Sequence, residues 1–207
     1  AALPGPGVLD ARFVPAGKRD AFLFDPSITE PFMADDLIAA VQLDGKWTYF
    51  DPGASYLPFG LLHWRNTVTG AIIAQPKNAK IESIPATPAT DSGIVRKAEL
   101  TLAVDGTLEG EVTFDYTGHR ANAERVSLAP KPASEREDMV REEIQTTLKL
   151  AEISDLKVEN LQDTAQPLKV TFHLRVPEYA ERTGSRLFVQ PAAFQKNEPP
   201  QFAEKKR

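Results

Sequence analysis

Three carboxylates, Asp35, Asp36 and Asp51, bracket the stretch Leu37 to Phe50, which carries a turn signal at Asp44-Gly45. Hard cations collect several oxygens, so this trio is a calcium candidate. Without the spaced ligands of an EF-type loop it reads first as a solvated strand end, and no metal or other cofactor is expected. Three histidines, His63, His119 and His173, sit on separate segments without paired ligand spacing, which fits surface or satisfied structural roles. His63, beside Trp64 in an apolar stretch, is the one expected to be buried. His173 alternates with Val170, Phe172 and Leu174 and is expected to point outward. Trp47, Tyr49, His63 and Trp64 are the binding candidates, because aromatics stack sugars or peptides. Aromatics on a strand more often fill a core. No Gly-rich phosphate loop, nucleophile elbow or zinc-type spacing occurs. The chain has no Cys, which removes thiol nucleophiles, thiolate metal sites and disulfides together.

The elements that must position these residues differ in how plainly they are written. Leu37 to Val41 and Lys46 to Phe50 flank Asp44-Gly45, a pair that tolerates positive φ, and predict a β-hairpin. A two-residue loop places Asp36 and Asp51 on one face, diagonally offset by roughly 7 to 8 Å between Cα atoms. A three-residue loop places them on opposite faces, and the side-chain pattern leaves both registers open. Leu3-Pro4-Gly5-Pro6-Gly7 reads as a leader or arm. From Gly53 to Gly93 the prolines predict loops and short strands, with the domain boundary at Ala86 to Ser92.

Beyond that boundary Ala98, Leu100, Leu102 and Val104 alternate with polar residues, as do Leu108, Gly110, Val112, Phe114 and Tyr116. Matching the apolar faces requires a three-residue loop, Val104-Asp105-Gly106, with Gly106 left-handed as a bulge. Ser134 and Glu137 read as a capping box ahead of Val140, Ile144 and Leu148, predicting one amphipathic helix from about 135 to 150. Strands are expected near 154–160, 168–176 and 187–190, with a loose charged tail after Phe194. The fold class expected is α+β and β-dominated, with an N-terminal part over residues 1–90, an antiparallel β domain with one helix over 94–195, and a tail over 196–207.

Composition narrows the partners. Lys and Arg number 24 against 29 Asp and Glu, a net charge of −5, with no clustered basic face, so nucleic acid is not an expected partner. The apolar runs fall far short of the roughly 20 residues a helical bilayer span needs. The opening Ala1-Ala2-Leu3-Pro4 lacks a signal-peptide pattern, and the chain reads as a trimmed or processed product.

The run Phe32-Met33-Ala34-Asp35-Asp36-Leu37-Ile38-Ala39-Ala40-Val41-Gln42-Leu43-Asp44-Gly45-Lys46-Trp47-Thr48-Tyr49-Phe50-Asp51-Pro52, followed by Tyr56-Leu57-Pro58-Phe59-Gly60, resembles the second half of the bacterial transglutaminase-like domain of large secreted or periplasmic proteins. Gly106 to Gly110, Tyr116 to His119 and Val176 to Gly184 look like the β-rich domain that follows it in those proteins. The resemblance implies a sheet whose strands carry a catalytic His and Asp, a catalytic Cys on a helix upstream of residue 1, and a secreted or periplasmic location. Asp51 matches the Asp position, but Asp36 stands at the His position. A transglutaminase-type site needs a thiolate activated by an imidazole that an aspartate orients, and a carboxylate at 36 does neither job. The expected function is therefore a pseudoenzyme: a non-catalytic binding, scaffold or assembly module. The alternative is the C-terminal portion of a processed or truncated transglutaminase- or cysteine-peptidase-like enzyme. A hairpin without its packing helix is expected to cover Ile38, Ala40, Val41, Trp47 and Tyr49 on the other domain or on another chain, as a protein partner or a homo-oligomer. On the same grounds residues 94–195 are expected to fold autonomously and residues 1–90 not.

Overall fold

The computed structural model describes residues 10–21, 24–25, 27, 34–74 and 78–194; the expected leader and the tail lie outside these. The described chain is β-dominated, with antiparallel sheets and two helices. It divides into two compact units. One comprises Ala1–Ile94, Tyr116–Ser127 and Asn160–Leu168, and the other Val95–Asp115, Leu128–Glu159 and Lys169–Arg207. The chain therefore crosses between units several times, where the sequence suggested a single boundary near Ala86 to Ser92.

In the first unit the predicted hairpin is β2 (Asp36–Leu43) and β3 (Lys46–Phe50). Asp44 and Gly45 both hold positive φ, 48° and 76°, and Leu43 pairs with Lys46, so the loop has two residues. Both central residues left-handed is the turn geometry whose twist matches that of the strands. The hairpin is not isolated. β1 (Ala11–Ala16) pairs antiparallel with β2, and β4 (Thr69–Ala74) with β5 (Ala79–Ile84), giving the order β3-β2-β1-β4-β5. Between β1 and β4 the ladder is limited to Ala16 opposite Ala71. Pro15 has no N–H to extend it, and the Arg12 guanidinium instead donates to the Ala74 carbonyl.

Alternation sends Val14, Ala16, Ile38, Ala40, Tyr49, Ala71, Ile73 and Ile84 to one face, where they form a buried cluster with Leu62 and half-buried Trp47. This corrects the expectation that the hairpin's apolar residues need another domain or chain: Ile38, Ala40, Tyr49 and Trp47 pack within their own unit, and only Val41 faces the other way. The same unit holds most of α1 (Gly118–Leu128), a helix the sequence reading missed.

The second unit is built on the order β6-β7-β9-β8, with β6 (Ile94–Leu102), β7 (Leu108–Tyr116), β8 (Glu152–Glu159) and β9 (Leu168–Val176). The β6–β7 turn has the expected three-residue loop: the Gly106 amide donates to the Ala103 carbonyl, the Ala103 amide to the Thr107 carbonyl, and Gly106 has φ 89°. Only Gly fits there, because a Cβ would meet the Ala180 carbonyl oxygen. Val104 is turn and exposed rather than an inward strand residue. β10 (Glu181–Thr183) and β11 (Arg186–Phe188) make a small ribbon.

Phe114 and Phe172 meet edge to face at 5.5 Å in the buried sheet face, and Val140, Ile144 and Leu148 form the buried stripe of α2 (Ala133–Thr147). The capping box does not form. Pro132 occupies the N-cap without a side-chain cap, and Ser134 lies inside the first turn. The helix start is held instead by Arg136, which donates to the Leu128 and Ala129 carbonyls, and by the Lys131–Glu135 ion pair.

Candidate functional site

The two-residue turn places Asp36 and Asp51 on the same face of β2–β3. Ala39 pairs with Phe50, so the next pair along sets Asp51 opposite Ile38, two residues from Asp36. That is the arrangement a His–Asp pair on these strands requires. What occupies it here is structural. The Asp36 Oδ2 accepts from the Asn66 side-chain amide at 2.9 Å and lies 3.9 Å from the Lys18 ammonium, while its Oδ1 accepts from the Leu37 amide. Asn66 is itself buried and donates from the same nitrogen to the Gly17 carbonyl at 3.3 Å. The Asp51 Oδ1 accepts from the amides of Gly53 and Ala54, both at 3.1 Å, closing an Asx-type turn.

Asp35 pairs with Lys18 at 3.5 Å. The calcium candidate is thus split: Asp35 and Asp36 share a lysine, Asp51 closes a turn, and no group of three metal-ligating side chains is assembled among the described residues.

His63 precedes a short 3-10 turn, Trp64–Asn66, and its Nδ1 accepts from the Arg65 amide at 3.3 Å, leaving the proton on Nε2. It is half-buried. Loss of water and then the Arg65 guanidinium push its pKa below the ordinary imidazole value, with Asp51 opposing. His119 on α1 bonds the Leu62 carbonyl through Nε2 at 2.7 Å. His173 faces the polar side of β9, as expected, with Nδ1 2.9 Å from Glu111 and Nε2 3.1 Å from Glu109; these two carboxylates raise its pKa. No two of the three imidazoles share a ligand set.

Trp64 is 40% exposed, with the guanidinium carbons of Arg19 and Arg65 at 5.2 and 5.6 Å from its ring. Trp47 and Tyr49 border a cavity of about 260 Å³ together with Leu62, Ile84, Pro85 and Asp91. Burial, with the Glu82 charge adding, pushes the Tyr49 phenol up to about 12. Trp47 carries the Arg12 guanidinium at 5.4 Å, which Asp10 neutralises at 2.6 Å.

The opposite face of the hairpin holds a larger groove, about 420 Å³, lined by Ala39, Val41, Leu43, Phe50, Asp51 and the loop Leu57–Leu61. Phe50 and Phe59 rings lie 4.7 Å apart, and Phe59 is 89% exposed. On the same face β1 presents Phe13 and β2 presents Leu37, both exposed. Register places Ala11, Phe13, Pro15, Leu37, Ala39, Val41, Leu43, Thr48 and Phe50 together there, with Lys46, opposite Leu43, adding a charge at the turn end.

Sequence reasoning missed Asn66, Lys18 and Phe59. Asn66 and Lys18 carry no local pattern, since their role comes from approach across the fold. For Phe59 the signal was present, a large apolar residue between Pro58 and Gly60 that no strand claims. Neither a scan against protein-family models nor searches of curated proteins and of solved structures give a match for this chain.

Proposed function

We propose that this chain is a non-catalytic binding or assembly module of transglutaminase-like ancestry, acting in a secreted or periplasmic setting and engaging a partner polypeptide through the apolar outer face of β2–β3. The observation that carries the reading is the state of Asp36: where an imidazole would have to stand, a carboxylate is held by a buried asparagine amide. A carboxylate there cannot accept a proton from a thiol and deliver it to a leaving group at neutral pH in the way an imidazole does. Asp51, the residue that would orient an imidazole, spends one oxygen on its own turn. The largely apolar groove around Phe50 and Phe59, with Asp51 at its edge, supports the binding half of the reading, because a contiguous exposed apolar patch is characteristic of an interaction site.

Two measurements test it. The purified chain should incorporate no amine into glutamine-containing peptides and hydrolyse none; turnover that disappears in Asp51→Ala would favour the other reading, a processed enzyme to which this chain contributes Asp51. A benzoyl-phenylalanine placed at Phe59 should give one discrete crosslinked adduct in the native host, while the same group at exposed Val104 gives none. Equal or absent crosslinking at both positions rejects the groove as the binding surface.

A further inference from the structure

Arg125 is fully buried; it forms no ion pair with a described carboxylate, and the Asp163 charge acts on it only from beyond ion-pair distance. Its Nε and Nη2 donate to the carbonyl of Asn160 at 3.3 and 3.1 Å, and Nη2 also to those of Asp163 and Gln166 at 2.8 and 2.7 Å. The nearest acidic side chain in sequence among these, Asp163, uses its Oδ1 on the Ala165 amide. Nη1 has no hydrogen-bond partner among the described residues. Carbonyl dipoles satisfy donors but leave the net positive charge in place, and a buried cation without an ion pair and with an empty donor is costly.

The guanidinium does not stand alone. Gly118, Ala121 and Arg125 fall on one stripe of α1, and long helical side chains lean back towards the N-terminus. All three line a cavity of about 210 Å³ with Thr117, Gln166 and Pro167. α1 spans 11 residues, and at its start the Thr117 and His119 amides donate to the Gly93 carbonyl and the Ser92 hydroxyl, with the Gly118 amide between them. A helix N-terminus and a buried arginine at the same cavity both attract negative charge. No acidic residue lines the cavity.

We propose that the cavity between the first turn of α1 and the 164–167 segment, walled by Arg125, is a binding site for a small oxyanion, a carboxylate or a phosphate. It uses neither Asp36 nor Asp51, so it is independent of the module's catalytic status. Because Nη1 has no exposed surface, occupancy requires the exposed segment around Gln166 to yield, and the amides of that segment should report binding together with the arginine.

The test is NMR of the full chain labelled with ¹⁵N, titrated at constant ionic strength with acetate, inorganic phosphate and, as control, chloride. The Arg125 Nε signal and the amides of Gly118 and Gln166 should shift saturably with a single constant for acetate or phosphate and not for chloride. The tighter of the two oxyanions names the source chemistry. Gln166→Glu keeps the backbone carbonyl that holds Arg125 but sets a negative charge at the cavity wall, and should weaken binding at least tenfold without lowering the melting temperature. Arg125→Lys removes the planar fork and should abolish the response, but it also loosens the 160–167 segment, so Gln166→Glu is the deciding variant. Identical shifts with chloride, an unresponsive Arg125, or unchanged affinity in Gln166→Glu overturns the proposal.

Discussion

The side-chain amide of Asn66 reaches across 30 positions of sequence to the carboxylate of Asp36, at 2.9 Å, and ties the start of β2 to the turn after His63. A hydrogen bond to a charged group contributes more than a neutral one, and removing one partner leaves the other unsatisfied. Asn66→Ala should therefore destabilise the chain by about 1–3 kcal/mol, because the Gly17 carbonyl loses its donor as well. Asn66→Asp should cost more at neutral pH, since it sets two carboxylates side by side. That extra cost should shrink in acid, where one of them takes a proton. Urea denaturation midpoints at pH 7 and pH 4 check both; equal losses for the two variants at pH 7 would show that the Asp36 contact contributes nothing.

The histidines give opposite pH responses. His173 has its pKa raised above 6.5 by Glu111 and Glu109, so its contribution is fully present below about 6.5 and is lost as pH rises through the folded value. His63 has its pKa lowered, chiefly by loss of water, so it imposes a penalty that grows as pH falls below about 6.5 towards its folded value. Imidazole proton titration by NMR should place His173 above and His63 below 6.5, the ordinary value. Glu111→Gln should move His173 down and leave His63 in place.

At the start of α2 the sequence expected Ser134 to cap the helix; in the structure Pro132 holds that position without a side-chain cap, and Arg136 instead anchors the turn by donating to the Leu128 and Ala129 carbonyls. Ser134→Ala should accordingly change stability by less than about 0.5 kcal/mol, the range of surface substitutions. Arg136→Met, which keeps the stem but removes both carbonyl contacts, should cost about 1 kcal/mol. Differential denaturation of the two variants checks the assignment, and the reverse order of effects would restore Ser134 as the cap.

By itself the sequence determined those features whose cause is local. Strict alternation gave β9 its bounds, Leu168–Val176, and gave β7 its buried face; Gly106 dictated the bulged turn because the two flanking apolar patterns match in no other register. The carboxylate at 36 and the absence of cysteine were legible as residue types. Other features needed the tertiary fold. β1 escaped notice because Pro15 interrupts it and Phe13 faces out, so its alternation has no signature of burial until β2 pairs with it. α1 escaped because, of its buried residues Ala121, Asn122, Arg125 and Leu128, two are polar or charged, and distant carbonyls accept from both, that of Ser55 from Asn122 and those of Asn160, Asp163 and Gln166 from Arg125. Pro132 took the N-cap of α2 without a side-chain cap, and Arg136 anchors the turn by donating to carbonyls that precede the helix, a contact no capping pattern encodes. The hairpin register was open on side-chain pattern, since Val41 can match Trp47 or face away. It closed at two residues because β2 is sandwiched between β1 and β3, and one slip would turn Ile38 and Ala40 out of the core they share with Val14 and Ile73.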